Sequence, residues 1–506
     1  MTMNSPVWHR KLPRAFHEGV RFPLSPHPLI SVPKLPFFAP PHRPGTVNRK
    51  THHRTVRLAG VLLAILALAG CATRTWNVPA GISETPAAAP ARHCSPRGEA
   101  HELFVILAFS GGGMRSAAMS YGLLEALRDT TISIGGTEHR LIDEIDVVTS
   151  VSGGSYTAAY YGLFGERIFE DFETRFLKRD VQGEMLAQLL NPTTLGSLAS
   201  ENLNRSDLAA DWLDSEIFEG KTFSAMRGTD LPCTIVNASD LNTGLTFSFV
   251  QPQFDFLCSD LDRYPVANAV TASSAVPVIF APVALRNYSH DCAERHKPWV
   301  EEALKRRNRE SGAYHVARQL ERYLDPERMP VVRLVDGGVT DNLGIRGSIM
   351  SPVLHGGDVP SMQGAFTKSS LDQVTQVLVI ISNAQSYKPY EWSTEGREPG
   401  IVSTTIASFD AALNLLNTNT VAEARRSFQD WERMVNNRRA PREAKVRVHF
   451  VSLTLEDIED TEEREWFNAI PTSLSLEENE VDALKALPKR LLAKSSDFER
   501  FRLTLP

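Results

Sequence analysis

Cysteine is scarce, five in 506 residues, and no C-x-x-C pair or His/Cys cluster marks a metal site. No metal or other cofactor is therefore expected. Nucleotide signatures are missing as well: no G-x-x-x-x-G-K-[ST] occurs, and a G-x-G-x-x-G-like start at Gly111 and Gly113 ends in Ser116 instead of glycine. Acid is almost absent from residues 1 to 70, where Glu18 stands alone against ten Lys/Arg. With an overall charge of -6, the remaining chain carries about -15, which argues against a nucleic-acid partner. What is present, 42% hydrophobic and 23% charged residues, describes a globular protein with a substantial core.

The basic stretch RKTHHRTVR leads directly into LAGVLLAILALAGC, an apolar run of signal-peptide length and too short to span a bilayer comfortably. Its last four residues, Leu68-Ala69-Gly70-Cys71, resemble the lipobox of bacterial lipoproteins. That resemblance implies cleavage before Cys71, lipidation of its side chain and a membrane anchor in the cell envelope. A noncleaved anchor or an accidental apolar patch is the alternative. Ala72 is not the aspartate that holds many such lipoproteins at the inner membrane, so the resemblance implies the outer membrane, facing the periplasm. Residues 1–46 are rich in Pro, His and Phe without helical period, which suggests a translation start near Val47. Residues 71–100, rich in Ala and Pro, read as a tether to a domain over 101–506. Setting Cys71 aside, Cys94, Cys233, Cys258 and Cys292 allow two disulfides in three connectivities, or buried free thiols.

The domain opens with LFVILAF (103–109), a continuous apolar run expected of a buried parallel strand, followed by the helix-spaced MRSAAMSYGLLEALRD. EIDVVTSV then SYTAAYYGLF repeats the pattern. Further strands are expected at 233–239, 331–335, 376–382 and 446–453, a helical, mostly solvated stretch over 299–324, and a terminal helix capped by Ser475 and Glu478. The fold class is α/β, with strand ends converging on one site.

Three glycine turns could carry chemistry. In FSGGGMRS (109–116), Gly111, Gly112 and Gly113 leave main-chain N–H groups unshielded at a helix start, a place that favours negative charge. A nucleotide phosphate, an acyl-transfer oxyanion supported by Arg115, or a plain tight turn all fit that stretch. In SVSGGS (150–155), Ser152 stands between an apolar strand and a helix, as a nucleophile does in G-x-S-x-G, although Ser150 replaces the first glycine. Ser150 fits if its φ is negative. In LVDGGVTDNLG (334–344), a strand ends in Asp336 and two glycines, so a carboxylate can approach the first site. His449 would complete a Ser152, Asp336, His449 order, but it falls inside an expected strand.

The ordered set SGGGMRS, SVSGGS and VDGGVTDNLG resembles the patatin-like phospholipase family, and ASSAVPVIFAPV (272–283) looks like a further family block. The resemblance implies a three-layer sandwich around a central, mostly parallel sheet. It implies a lipid acyl hydrolase acting on phospholipid or other fatty-acyl esters through a Ser-Asp dyad, with Ser152 as nucleophile, Asp336 as base and Gly111, Gly112 and Gly113 as the oxyanion hole. Ser110 departs from the aspartate often found before the triplet. A noncatalytic envelope lipoprotein that binds lipid in the same pocket is the alternative.

Overall fold

The computed structural model describes residues 74–80 and 102–505, except 135, 193, 195–202, 228–230, 278, 293–297, 348, 350–373 and 388–389. All of them lie in one unit, Gly60–Pro506. The pre-sequence, Cys71 and Cys94 fall outside the described residues.

The strands are β1 Leu103–Phe109, β2 Thr131–Ile134, β3 Thr137–Arg140, β4 Ile145–Val151, β5 Cys233–Asp240, β6 Thr246–Ser248, β7 Val283–Arg286, β8 Val331–Val335, β9 Gln376–Asn383 and β10 Arg447–Thr454. Strands β2 and β3 form a separate hairpin, and the other eight form one sheet in the order β10-β9-β1-β4-β5-β8-β7, with β6 on β5. The five strands from β10 to β5 are parallel, as expected for near-continuous apolar runs buried on both faces. Strands β6, β7 and β8 join antiparallel.

Alternation along β1 shows how the layers are built. Leu103, Val105, Leu107 and Phe109 enter one core, with helices α1 Met114–Arg128, α2 Gly153–Phe164 and α3 Val266–Ser273. Phe104, Ile106 and Ala108 enter the other, against Ala424, Phe428 and Trp431 of the 38-residue helix α4 Ile401–Arg438. The fold is therefore α/β, a mostly parallel sheet between two helical layers. No described helix is long and apolar enough to cross a membrane.

Several expectations need correction. The stretch 299–324 is broken: one helix ends at Arg306, Arg307 takes a φ of 49°, and a second covers Gly312–Leu320. The helix expected to be terminal, α5 Glu478–Lys494, is followed by another over Ser496–Thr504, and it is capped by Glu477 and Glu480, whereas Ser475 donates to Asp180 at 2.8 Å. Part of the expected tether is docked. The Asn77 amide donates to Ser259 Oγ at 3.0 Å and Arg286 O at 2.8 Å, and Thr75 bridges Ala284 on β7. Residues 74–80 thus cover an edge that would otherwise present unpaired main chain. Cys258 and Cys292 form a disulfide, and Cys233 is disulfide-bonded too.

Candidate active site

Three turns meet at the carboxyl ends of β1 and β4. Ser150, the penultimate residue of β4, pairs with Phe109 of β1, so the turns that follow the two strands lie side by side. Ser150 fits without strain: it is not among the residues with positive φ, and its hydroxyl donates to Ile235 O at 3.1 Å. Ser152 does have positive φ, 50° with ψ -122°, at the first step into α2. A non-glycine residue held there costs about 1–3 kcal/mol, a strain that displays a side chain where strand turns into helix. Gly153 must lack a side chain, because a Cβ there would run into the carbonyl of Gly113.

Asp336 reaches the site at the end of a strand that runs against the parallel ones. Strand β8 runs antiparallel to its neighbour β5 and meets only its last two residues, Ser239 and Asp240. Strand β5 extends beyond the register that pairs Asn237 with Val151, so β8, arriving from that side, ends back at the level of Ser152. Gly337 can then lie against Asn237 O, where a Cβ would stand at 2.5 Å.

Ser152 Oγ donates to Asp336 Oδ2 at 2.7 Å, and Asp336 Oδ1 accepts the Gly338 N–H at 2.8 Å. Burial pushes the Asp336 carboxyl up to about 6, against the pull of these two hydrogen bonds. Ser152 and Asp336 are 6% and 7% exposed, so the pair is largely shielded from water. Among the described residues no histidine takes part. His449 lies near the start of β10, at the opposite end of the parallel strands, with Nε2 within 3.0 Å of Gln376 Oε1 and 3.2 Å of Thr504 Oγ1.

The glycine loop is pressed against this pair. A Cβ on Gly111 would stand 3.3 Å from Ser152 Cβ. Its three amides are not equivalent. The Gly111 N–H donates to Asn342 O at 2.9 Å, whereas among the described residues those of Gly112 and Gly113 have no acceptor. The donor role expected of Gly111 therefore needs correction: its amide is already used to join the first turn to the third. Arg115 needs correction as well. It is buried, with Nε on Ala384 O at 2.8 Å, one terminal nitrogen on Ile470 O at 2.6 Å and the other on Thr472 Oγ1 at 3.1 Å. Burial brings its guanidinium down to about 10. It clamps α1 to the loop before α5, which also accepts the Met114 N–H at Ser473 O.

Two supporting residues have no counterpart among the expected ones. Asn342 follows the Asp336 turn and carries the carbonyl that holds Gly111, while its amide donates to Gln385 at 3.0 Å. Asn237 donates to Thr149 Oγ1 at 2.8 Å and Ser150 O at 3.0 Å, and accepts from Ser248 Oγ at 2.7 Å, which ties β5 to the serine turn. A lone amide within the apolar run CTIVNAS was the available signal, since a buried polar group must find partners. Ser110 uses its hydroxyl in the same way, donating to Gly111 O at 2.9 Å and accepting the Ala384 N–H at 2.9 Å. A groove of about 680 Å³ lined by Arg286, His290, Asp325 and Glu327 is a separate feature, at the far end of β8 from Asp336.

Residues 107–349 match the model of the patatin-like phospholipase family. No match was found among curated proteins. Among solved structures, the chain is similar to human GIVD cytosolic phospholipase A2 at 12% identity and a TM-score of 0.36, covering 91% of this chain and 67% of that one. For the same enzyme in complex with methyl gamma-linolenyl fluorophosphonate the figures are 13% and 0.35, with 79% and 60% covered. For VipD from Legionella pneumophila they are 11% and 0.28, with 86% and 71% covered. The chain thus spans about two thirds or less of the phospholipase A2 chains it matches.

Proposed function

We propose that this chain, whose residues 107–349 form a patatin-like phospholipase domain, is a serine-dependent hydrolase of fatty-acyl esters such as phospholipids and lysophospholipids. The observation that carries the reading is the 2.7 Å hydrogen bond from Ser152 Oγ to a buried Asp336. An ordinary carboxylate is too weak a base for a hydroxyl, but one raised to about 6 is better matched to neutral pH.

In the first half-reaction, Ser152 Oγ attacks the acyl carbonyl carbon and its proton passes to Asp336 Oδ2. The carbonyl oxygen becomes an oxyanion, for which the amides of Gly112 and Gly113, without a partner among the described residues, are the available donors. Collapse breaks the ester bond, and the departing alkoxide takes the proton from Asp336. Water then attacks the acyl-serine, gives its proton to Asp336, and the fatty acid leaves as the proton returns to Ser152. The N-terminus of α2, directly under Ser152, favours the negative charge in both steps.

A fluorophosphonate probe reads the key step directly, since it reacts only with an activated serine. Wild type should be labelled and Ser152→Ala should not. Equal labelling of the two would overturn the nucleophile assignment.

The reading includes a lipid anchor at Cys71 and a place at the outer membrane, facing the periplasm. The Cys258–Cys292 disulfide supports an oxidising compartment. Thr75, four residues after Cys71, bridges Ala284, so the leash between an anchor there and the domain can span at most about 14 Å. Such a leash would keep the site at high effective concentration beside its substrate. Cys71→Ser should abolish metabolic labelling with palmitate; persistent labelling would refute the anchor.

A further inference from the structure

The block ASSAVPVIFAPV has no part in the chemistry above, yet its second residue reaches the nucleophile. Ser273 is the last residue of α3 and fully buried. Its Oγ accepts the Ser152 N–H at 2.8 Å and donates to Asn237 O at 2.6 Å. Ser155 Oγ lies 2.9 Å away. A hydroxyl has one proton and two lone pairs, so with its proton on Asn237 O, Ser273 must accept from both Ser152 and Ser155. Every bonding position of the group is then filled in a single polarity.

The main chain of the same residue holds the base. Ser273 O accepts the Gly337 N–H at 3.0 Å, and two residues on, Ala275 O accepts the Asp336 N–H at 2.9 Å. Side chain and backbone of one residue thus bridge the two turns that must stay in register for a 2.7 Å contact between Ser152 and Asp336. Ser152 also needs an external hold, because its positive φ is a conformation that a serine leaves when nothing restrains it.

We infer that Ser273 is a positioning residue for the nucleophile: its hydroxyl holds the Ser152 amide and so fixes the elbow in which Ser152 Oγ faces Asp336. It does not touch the reacting atoms. This inference rests on the hydrolase reading above. It also spends the Ser152 N–H on Ser273, which leaves the oxyanion to donors other than that amide.

The test compares wild type, Ser273→Ala and Ser273→Thr for kcat and KM on a short-chain acyl ester, for the rate of fluorophosphonate labelling, and for Tm. Ser273→Ala should lower kcat and the labelling rate by about 10²-fold, the scale of an ångström-sized misplacement, with KM changed less than threefold. Ser273→Thr keeps the acceptor and should restore at least a tenth of the wild-type rate. The acid limb of kcat/KM in Ser273→Ala should move to higher pH, since Asp336 loses the hydrogen bond that holds its carboxyl down. A folded Ser273→Ala with kcat within twofold of wild type overturns the inference. So does a loss of Tm in both variants with no change in labelling rate per folded molecule. Should Ser273→Ala not fold, a folded Ser273→Thr with less than a hundredth of the wild-type rate overturns it equally. A folded wild type that neither hydrolyses the ester nor takes the probe overturns the hydrolase reading instead, and the inference with it.

Discussion

Replacing Asp336 with Asn is expected to lower kcat/KM on a short-chain acyl ester by about 10²–10⁴-fold while the protein remains folded. The amide keeps the shape of the carboxyl: its one carbonyl oxygen can accept the Gly338 N–H in place of Oδ1, and its NH2, in place of Oδ2, can donate to Ser152 Oγ. What it cannot do is take a proton. The wild-type pH profile gives a second reading of the same group. Burial raises the carboxyl to about 6, and only its ionised form can act as base, so kcat/KM should fall as pH drops through about 6 and level off above it. His449→Ala is the control: with its ring held by Gln376 and Thr504 at the far end of the sheet, activity should stay within a few-fold of wild type. An Asp336→Asn enzyme with near-native kcat/KM, or a folded His449→Ala enzyme damaged as severely, would remove the dyad.

How much of this was legible in the sequence depended on the kind of signal. Strands buried on both faces, such as LFVILAF in β1 and QVLVIISN in β9, announce themselves as apolar runs, because no residue in them faces water. The short strands β6 and β7 have three and four residues, too few for a period, and exist because a distant partner pairs with them. Helix α4 was missed for another reason. Its first half, rich in Ser, Thr, Asn and Ala, lacks the charged face that marks a solvated helix, and only its second half packs Phe428 and Trp431 into the core.

The site divides along the same line. Ser152, Asp336 and the glycine turn could be named because each stands in a local pattern whose backbone demands are visible residue by residue. The division of labour among neighbouring groups could not. Arg115, a cation beside a glycine turn, reads as anion support until the fold brings Ala384, Ile470 and Thr472 to its three nitrogens. The amide of Gly111 looks as available as its neighbours until Asn342 O arrives from 231 residues away in sequence. Partners of that kind are properties of the closed fold, and no local pattern carries them.

That inequality among the three amides gives the glycine loop its test. Gly112 has a φ of 138°, a region from which side chains are nearly excluded, and its N–H has no partner among the described residues. There is room for a methyl group, since the nearest atoms to an added Cβ are Ser116 Cβ at 3.4 Å and Ala384 O at 3.5 Å. Gly112→Ala therefore fails on backbone conformation, not on crowding: the peptide must rotate, and its amide turns with it. Loss of one oxyanion donor lowers kcat by about 10²–10³-fold, and because the charge exists only in the transition state, KM should change little. A loop that cradled a ground-state phosphate would show the reverse, weakened binding with turnover spared. Steady-state kinetics of Gly112→Ala on a short-chain ester, with circular dichroism to establish folding, separates the two. A folded Gly112→Ala enzyme with native kcat would show that the oxyanion is held elsewhere, and the amide of Gly113 would be the next donor to remove.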